Sequence, residues 1–178
     1  AKASGIHNSK GWTTGVTTVD INNDGLLDIY VTKVSVHLNM TGHNLLYENQ
    51  GIKNGNVFFK EKSKEYNLDY SGLYTQTAFF DYDQDGDLDA YLLGHSLFPN
   101  SNFGRGVKRN KKDSLNGDKL LVNKGGKFYD ATTSSAIYSS KLGYGLAIST
   151  SDLNYDGYPD IYISNDFFED DYLYINQQ

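Results

Sequence analysis

Asp81-Tyr82-Asp83-Gln84-Asp85-Gly86-Asp87-Leu88-Asp89 places a carboxylate at every odd position and a glycine at position six. The same frame recurs as Asp20-Ile21-Asn22-Asn23-Asp24-Gly25-Leu26-Leu27-Asp28 and as Asp152-Leu153-Asn154-Tyr155-Asp156-Gly157-Tyr158-Pro159-Asp160. A hard cation such as Ca²⁺ takes six to eight oxygen ligands at about 2.3–2.6 Å, so a short loop that binds it must curl until alternate side chains converge. Positions one, three and five supply Asp20, Asn22 and Asp24, then Asp81, Asp83 and Asp85, then Asp152, Asn154 and Asp156. Position seven offers a backbone carbonyl, from Leu26, Asp87 or Tyr158, and Asp28, Asp89 or Asp160 closes the cage at position nine. The glycine makes the sharp turn, because it reaches positive φ without a Cβ clash. One structural Ca²⁺ per loop is therefore expected.

The first positions also match the opening of an EF-hand. That motif needs a bidentate Glu at position twelve and helices on both flanks. Here position twelve is Val31, Leu92 or Ile163, and the flanks are strand-like. A plain Asx-rich hairpin turn explains one copy as well as a metal site does. It does not explain three copies in one register.

Composition agrees with many short strands joined by turns. The 178 residues include 15 Tyr and 18 Gly but only 2 Pro, and they are enough for one domain with a core. The formal charge is −6, and 11 of the 22 acidic residues lie inside the three loops, so three Ca²⁺ (+6) would bring it to zero. The acidity is thus a metal requirement and gives no reason to expect nucleic acid as a partner. There is no cysteine, hence no disulfide or thiol chemistry. Open calcium loops of this kind suit the calcium-rich cell exterior better than the cytosol. No apolar run reaches membrane-spanning length, and no signal peptide is visible.

Aligning the loops, which are spaced 61 and 71 residues apart, exposes a longer repeat. Before each loop lies a strand-like run (residues 12–19, 73–80 and 144–151), and after each an apolar one (27–31, 88–92 and 159–163). A third element follows at 44–49, 118–123 and 171–176, and a fourth at 57–61 and 127–130. Four short strands per unit is the arithmetic of a β-propeller blade. The expected fold is all-β: a three-blade portion with blade one at 7–69, blade two at 70–138 and blade three at 139–178. Blade three lacks its outer strand, and Ile6 falls in the phase of Leu68 and Ile137, as if a fourth strand preceded it. The chain is therefore read as a piece of a longer propeller.

The pattern D-x-[DN]-x-D-G-x-x-D, an apolar strand and then Leu-Tyr-x-Asn resembles the FG-GAP/VCBS repeats of integrin-α-like propellers. The stretches at 42–47, 104–106 and 143–145 are similar to bacterial VCBS-repeat proteins of the ASPIC/UnbV-associated type, although no ASPIC-like segment is present. The resemblance spans essentially the whole chain. It implies an extracellular propeller of about seven four-stranded blades, with each loop holding Ca²⁺ between the first two strands of its blade.

Blade two carries an insertion, residues 94–117, so that Asp118 follows Asp89 by 29 positions against 16 and 11 at the equivalent steps. It holds His95, Phe98, Pro99, Phe103 and a basic run of Arg105, Lys108, Arg109, Lys111 and Lys112. His95, Arg105, Lys108 and Arg109 are candidate contacts for an anionic glycan or acidic partner, with a solvated loop as the plain alternative. His37, His43 and His95 occupy corresponding connections and read as structural or, alternatively, as transition-metal ligands. The acidic run at 165–171 reads as a turn or as paired carboxylates of the glycosidase type. Trp12 and Tyr30, Tyr47, Tyr91, Tyr162 and Tyr174 recur at repeat positions and read as packing residues.

The functional expectation is a calcium-binding, non-enzymatic module for binding or scaffolding at the bacterial cell surface. Its partners would be a surface glycan or protein, the remainder of its own propeller, or an outer-membrane complex. The alternatives are part of a polysaccharide lyase or hydrolase, or a subunit of a larger outer-membrane assembly.

Overall fold

A computed structural model describes residues 2–7, 10–96, 111–166 and 169–177. After a 3-10 turn at Lys2–Ser4 come β1 (Trp12–Val19), β2 (Asp28–Val34), β3 (Leu45–Lys53), β4 (Asn56–Glu61), β5 (Tyr74–Phe80), β6 (Asp89–Gly94), β7 (Lys119–Asn123), β8 (Phe128–Asp130), β9 (Gly145–Ser151), β10 (Asp160–Asn165) and β11 (Tyr172–Tyr174). They form three antiparallel sheets in the orders β1-β2-β3-β4, β5-β6-β7-β8 and β9-β10-β11. Every expected strand forms, β1 at the expected bounds and the others with ends shifted by up to four residues. The all-β class and the antiparallel pairing are as the repeat predicts. The insertion residues Phe98, Pro99, Phe103, Arg105, Lys108 and Arg109 lie outside the described residues, as do Phe167 and Phe168 of the acidic run.

Side chains alternate across each strand, so each sheet has two faces to bury. Tyr30, Val19 and Leu46 of the first sheet pack against Ala90, Leu92, Leu121 and Phe128 of the second. The opposite face of the second sheet, with Phe80, Tyr91, Leu93 and Leu120, packs against Ile161 and Ile163 of the third. Edge-to-face rings bind the first interface, with Tyr30 against Phe79 at 5.5 Å and Phe79 against Phe128 at 6.2 Å. Tyr30, Tyr47 and Tyr91 are buried as expected. Trp12 and Tyr162 differ, at 62% and 42% exposed: Tyr162 alternates with the buried Ile161 and Ile163 and so faces away from the second sheet, whereas Trp12 stands at the very start of β1, opposite Val34.

Neighbouring sheets also meet through their first strands, β1 on β5 and β5 on β9. Each first strand carries a β-bulge at the same repeat position, where Thr14, Thr75 and Leu146 are skipped in the register. A bulge re-aims the extra side chain. Thr14 Oγ1 donates to the carbonyl of Tyr74 at 2.5 Å, and Thr75 Oγ1 donates to that of Gly145 at 2.8 Å. Thr17 Oγ1 adds a bond to the Thr77 carbonyl at 2.7 Å. Gly15 and Gly145 lie in these contacts, where a Cβ would collide with the Thr75 carbonyl and with Leu93. The sheets are joined by hydrogen bonds at the first strands and by apolar side chains farther out.

The third strands begin on a recurring polar residue. Asn44 Oδ1 accepts from the Lys33 N–H (2.9 Å), Asp118 Oδ1 from Gly94 (2.7 Å) and Asp171 Oδ1 from Asn165 (2.8 Å). Each fixes the start of a third strand against the end of the second. Asp118 is 4% exposed and also accepts from the Tyr91 hydroxyl at 2.9 Å. Burial pushes its carboxyl up to about 7, against the bonds from Gly94 and Tyr91. Because the folded value is raised, this group's contribution to stability is complete below about pH 4 and is lost as pH rises through about 7. Asp118→Asn should therefore melt like the parent at pH 4 and be more stable above pH 7, by on the order of 2–4 kcal/mol. The amide suits the site, since Asn44 fills it in the first sheet and Tyr91 can turn its hydroxyl to its other partner, Tyr174. Melting curves across that pH range check it; parallel curves would remove Asp118 as the titrating group.

Candidate metal centre

Each loop joins the first strand of a sheet to the second, so all three leave their sheets at corresponding ends. Their backbones share one path. Position six is left-handed at Gly25 (φ 83°), Gly86 (94°) and Gly157 (93°), with nothing near an added Cβ. The glycine answers to dihedral strain and not to space. Gly86→Ala should cost about 1–2 kcal/mol, seen as a lowered melting temperature with unchanged calcium stoichiometry. Position four is left-handed as well, at Asn23 (56°), Gln84 (60°) and Tyr155 (62°). No residue preference announces this, and tyrosine is an uncommon choice there.

The odd positions fold inward as Asx turns. Asp20 accepts from the N–H groups of Asp24 (3.0 Å) and Gly25 (2.8 Å), and Asp152 likewise from Asp156 (3.1 Å) and Gly157 (2.9 Å). Asp81 accepts from Gly86 at 3.1 Å. At position five, Asp24, Asp85 and Asp156 cap the N–H of position seven, in Leu26, Asp87 and Tyr158, at 2.8–2.9 Å. These bonds curl the ligand set before any cation arrives.

Position three separates the loops. Asn22 Nδ2 donates to Asp24 Oδ2 at 2.9 Å, and Asn154 Nδ2 to Asp156 Oδ2 at 2.8 Å. Asp83 has no proton to give, so the second loop holds its carboxylates without that internal neutralisation. Asp81, Asp83 and Asp89 converge, with one carboxylate oxygen of each within 4.8 Å of the others; among the described residues this is the sole such group of His, Cys, Asp or Glu. Asp81 Oδ1 is shut off from solvent without a hydrogen-bond partner. Three carboxylates about one point, one of them with an orphaned oxygen, fit the donor set of a hard divalent cation. Asp85 and Asp87 lie outside this group, and Asp87 is among the residues that line a cleft of about 560 Å³ between the first and second loops. The second and third loops touch where Gln84 Nε2 donates to the Gly157 carbonyl.

The position-nine aspartates do more than the spacing implies. Asp28, Asp89 and Asp160 are fully buried, and both oxygens of each accept a backbone N–H. Asp28 binds Ile21 (3.0 Å) and Asn49 (2.7 Å), Asp89 binds Tyr82 (2.8 Å) and Asn123 (2.7 Å), and Asp160 binds Leu153 (2.9 Å) and Asn176 (2.9 Å). Each carboxylate latches its loop to the third strand of the same sheet. Its partner is always the asparagine that ends the third element, in Leu-Tyr-x-Asn at 46–49 and 173–176 and Leu-Leu-Val-Asn at 120–123, which was the available signal for the latch. Burial pushes Asp28 above the usual carboxylate range and Asp89 up to about 6, with repulsion from Asp24 and Glu48, and from Asp83 and Asp85, adding to it. A bound cation would offset that cost.

The other candidates are placed differently. His43 Nδ1 lies 2.7 Å from the Asn44 carbonyl, and the His95 ring stands edge-on to Tyr144 at 5.4 Å. His37, His43 and His95 do not form a group. In the acidic run, Asp171 accepts from the Tyr162 hydroxyl at 2.5 Å and Glu169 from Tyr172 at 2.7 Å, so both carboxylates are capped by phenols. Lys112 reaches Thr133 Oγ1 at 2.9 Å. No protein-family model matches this chain, and no curated protein is significantly similar to it.

Proposed function

We propose that the chain is three blades of a calcium-pinned β-propeller of the FG-GAP/VCBS type, working as a binding or scaffold module at the bacterial cell surface. The observation that carries this reading is the equivalence of the three loops. Left-handed turns, inward Asx bonds and a buried position-nine latch recur at matching positions, although the residues between the ligands differ. Evenly repeated first-strand contacts through bulged threonines support the propeller arrangement. Calcium in this reading is structural: it binds Asp20, Asn22, Asp24, Asp28 and the Leu26 carbonyl in the first loop, and the equivalent residues in the others. Partners would meet the connections between second and third strands, where the sheets differ most in length.

Calorimetric titration with Ca²⁺ tests it directly. About three ions should bind, and Asp85→Ala should remove one of them. Binding of none, or an Asp85→Ala variant with unchanged uptake, would reduce the loops to turns.

A further inference from the structure

We propose that the cleft between the first and second loops is a binding site for an aliphatic polyamine, a methylene chain that carries two or more ammonium groups. This goes beyond the reading above and does not depend on calcium in the loops.

The two seams between neighbouring loops are closed differently. Two side-chain amides cross the second: Gln84 Nε2 donates to the Gly157 carbonyl, and Asn176 Nδ2 donates to the carbonyl of Tyr82 at 3.0 Å. Gln84, Gly157 and Tyr82 hold positions four, six and two of their loops, so their counterparts at the first seam are Asn23, Gly86 and Ile21. Neither bond forms there. Asn23 has nearly the same left-handed φ as Gln84 (56° against 60°) but is one methylene shorter. Asn123, the counterpart of Asn176, turns its amide to the Leu88 carbonyl of its own sheet at 3.3 Å. Among the described residues, the carbonyls of Ile21 and Gly86 accept no hydrogen bond.

The first seam is left open as the cleft of about 560 Å³, with Ile21, Asn23, Tyr66, Gly86, Asp87 and Leu88 in its wall and no described lysine or arginine. That volume is within the range of small-molecule sites. Asp87 is exposed, and its carboxylate has no hydrogen-bond or ion-pair partner among the described residues. Leu26 and Tyr158 hold the same position in the other loops, so the loop frame does not require an acid there. The first two loops carry eight aspartates, and two Ca²⁺ (+4) would leave a formal −4, of which Lys124 and Lys127 in the adjoining hairpin offset half. The cleft therefore attracts cations with its loops filled or empty. Two unclaimed carbonyls and a free carboxylate can only accept, so the ligand must donate. Separate amides serve the two carbonyls at the second seam, so donors are needed at two places. Ammonium groups supply three donors each with a charge to match Asp87. Ile21, Leu88 and Tyr66 offer apolar surface to the methylenes that join them.

The probe is spermidine, titrated into the full chain in calcium and again in chelator, and followed by the amide shifts of Gly86, Gly125 and Gly126 in heteronuclear NMR. Saturable one-to-one binding is expected in both conditions, and none of octanediol, which has a similar length without the charge. Asp87→Asn should weaken binding roughly fivefold or more, as a charge-assisted bond gives way to a neutral one. Asn23→Gln alters no charge but gives the first loop the reach of Gln84. It should close the seam and weaken binding by roughly tenfold or more, with calcium uptake unchanged because position four supplies no ligand. Should that variant misfold, Asp87→Asn and octanediol decide. No saturable shift at millimolar spermidine, or equal binding of octanediol, would overturn the proposal. Binding in chelator that disappears in calcium would also overturn it, since the amine would merely be replacing the metal. So would an Asn23→Gln variant that binds like the parent, since binding would then follow net charge alone. Failure of the calcium reading is seen separately, as absent ion uptake in the calorimeter.

Discussion

Adding 10 mM Ca²⁺ to the chelator-treated chain should raise its melting temperature by on the order of 10–25 °C. The estimate follows from mass action. Loops of this open type bind calcium with Kd of about 10⁻⁴–10⁻³ M, so at ten millimolar each filled site contributes ~1.4–2.7 kcal/mol, and three contribute roughly 4–8 kcal/mol. The second loop should respond most. It lacks the Asn amide that partly neutralises position five in the other two, and its Asp81, Asp83 and Asp89 converge. Asp83→Asn should therefore reduce the calcium-dependent rise while improving the metal-free melt. A chain that melts at the same temperature in chelator and in calcium would exclude a structural metal.

Asp89→Ala should destabilise the chain by roughly 3–5 kcal/mol whether or not calcium is present. The side chain is fully buried and satisfies the N–H groups of Tyr82 and Asn123. Truncation leaves both donors in the interior, at a cost of about 1–3 kcal/mol each, and adds a small cavity. Asp89→Asn should not rescue it, because an amide nitrogen cannot accept the second N–H. Asp85→Ala gives the contrast. Asp85 is exposed and its side chain caps the Asp87 N–H, so its loss should matter mainly in calcium. Chemical denaturation of both variants, with and without chelator, separates a latch from a ligand. An Asp89→Ala variant destabilised only in calcium would mean that the latch bonds contribute nothing on their own.

Most of the strand plan was legible in the chain because it depends on local chemistry repeated in register. Asx residues at alternate positions about a glycine can only curl, and the apolar runs on either side can only pair across that turn. The repeat of Leu-Tyr-x-Asn placed the third strands for the same reason. The histidines of the connections read ambiguously because only distance decides whether such groups meet. In the structure they do not gather, and the carboxylates Glu169 and Asp171 are taken up by tyrosine hydroxyls.

By itself, then, the sequence determined an all-β chain of repeating units and the identity of the candidate ligands, since both follow from side-chain type and spacing along a single strand–loop–strand segment. Tertiary structure alone decided which tyrosines are buried, that position nine is a latch to an asparagine 16 to 34 residues away, and that bulged Thr14 and Thr75 join one sheet to the next. Those outcomes depend on which faces and edges meet in space. A carboxylate becomes a latch only when packing removes water from it and brings two backbone donors to its oxygens.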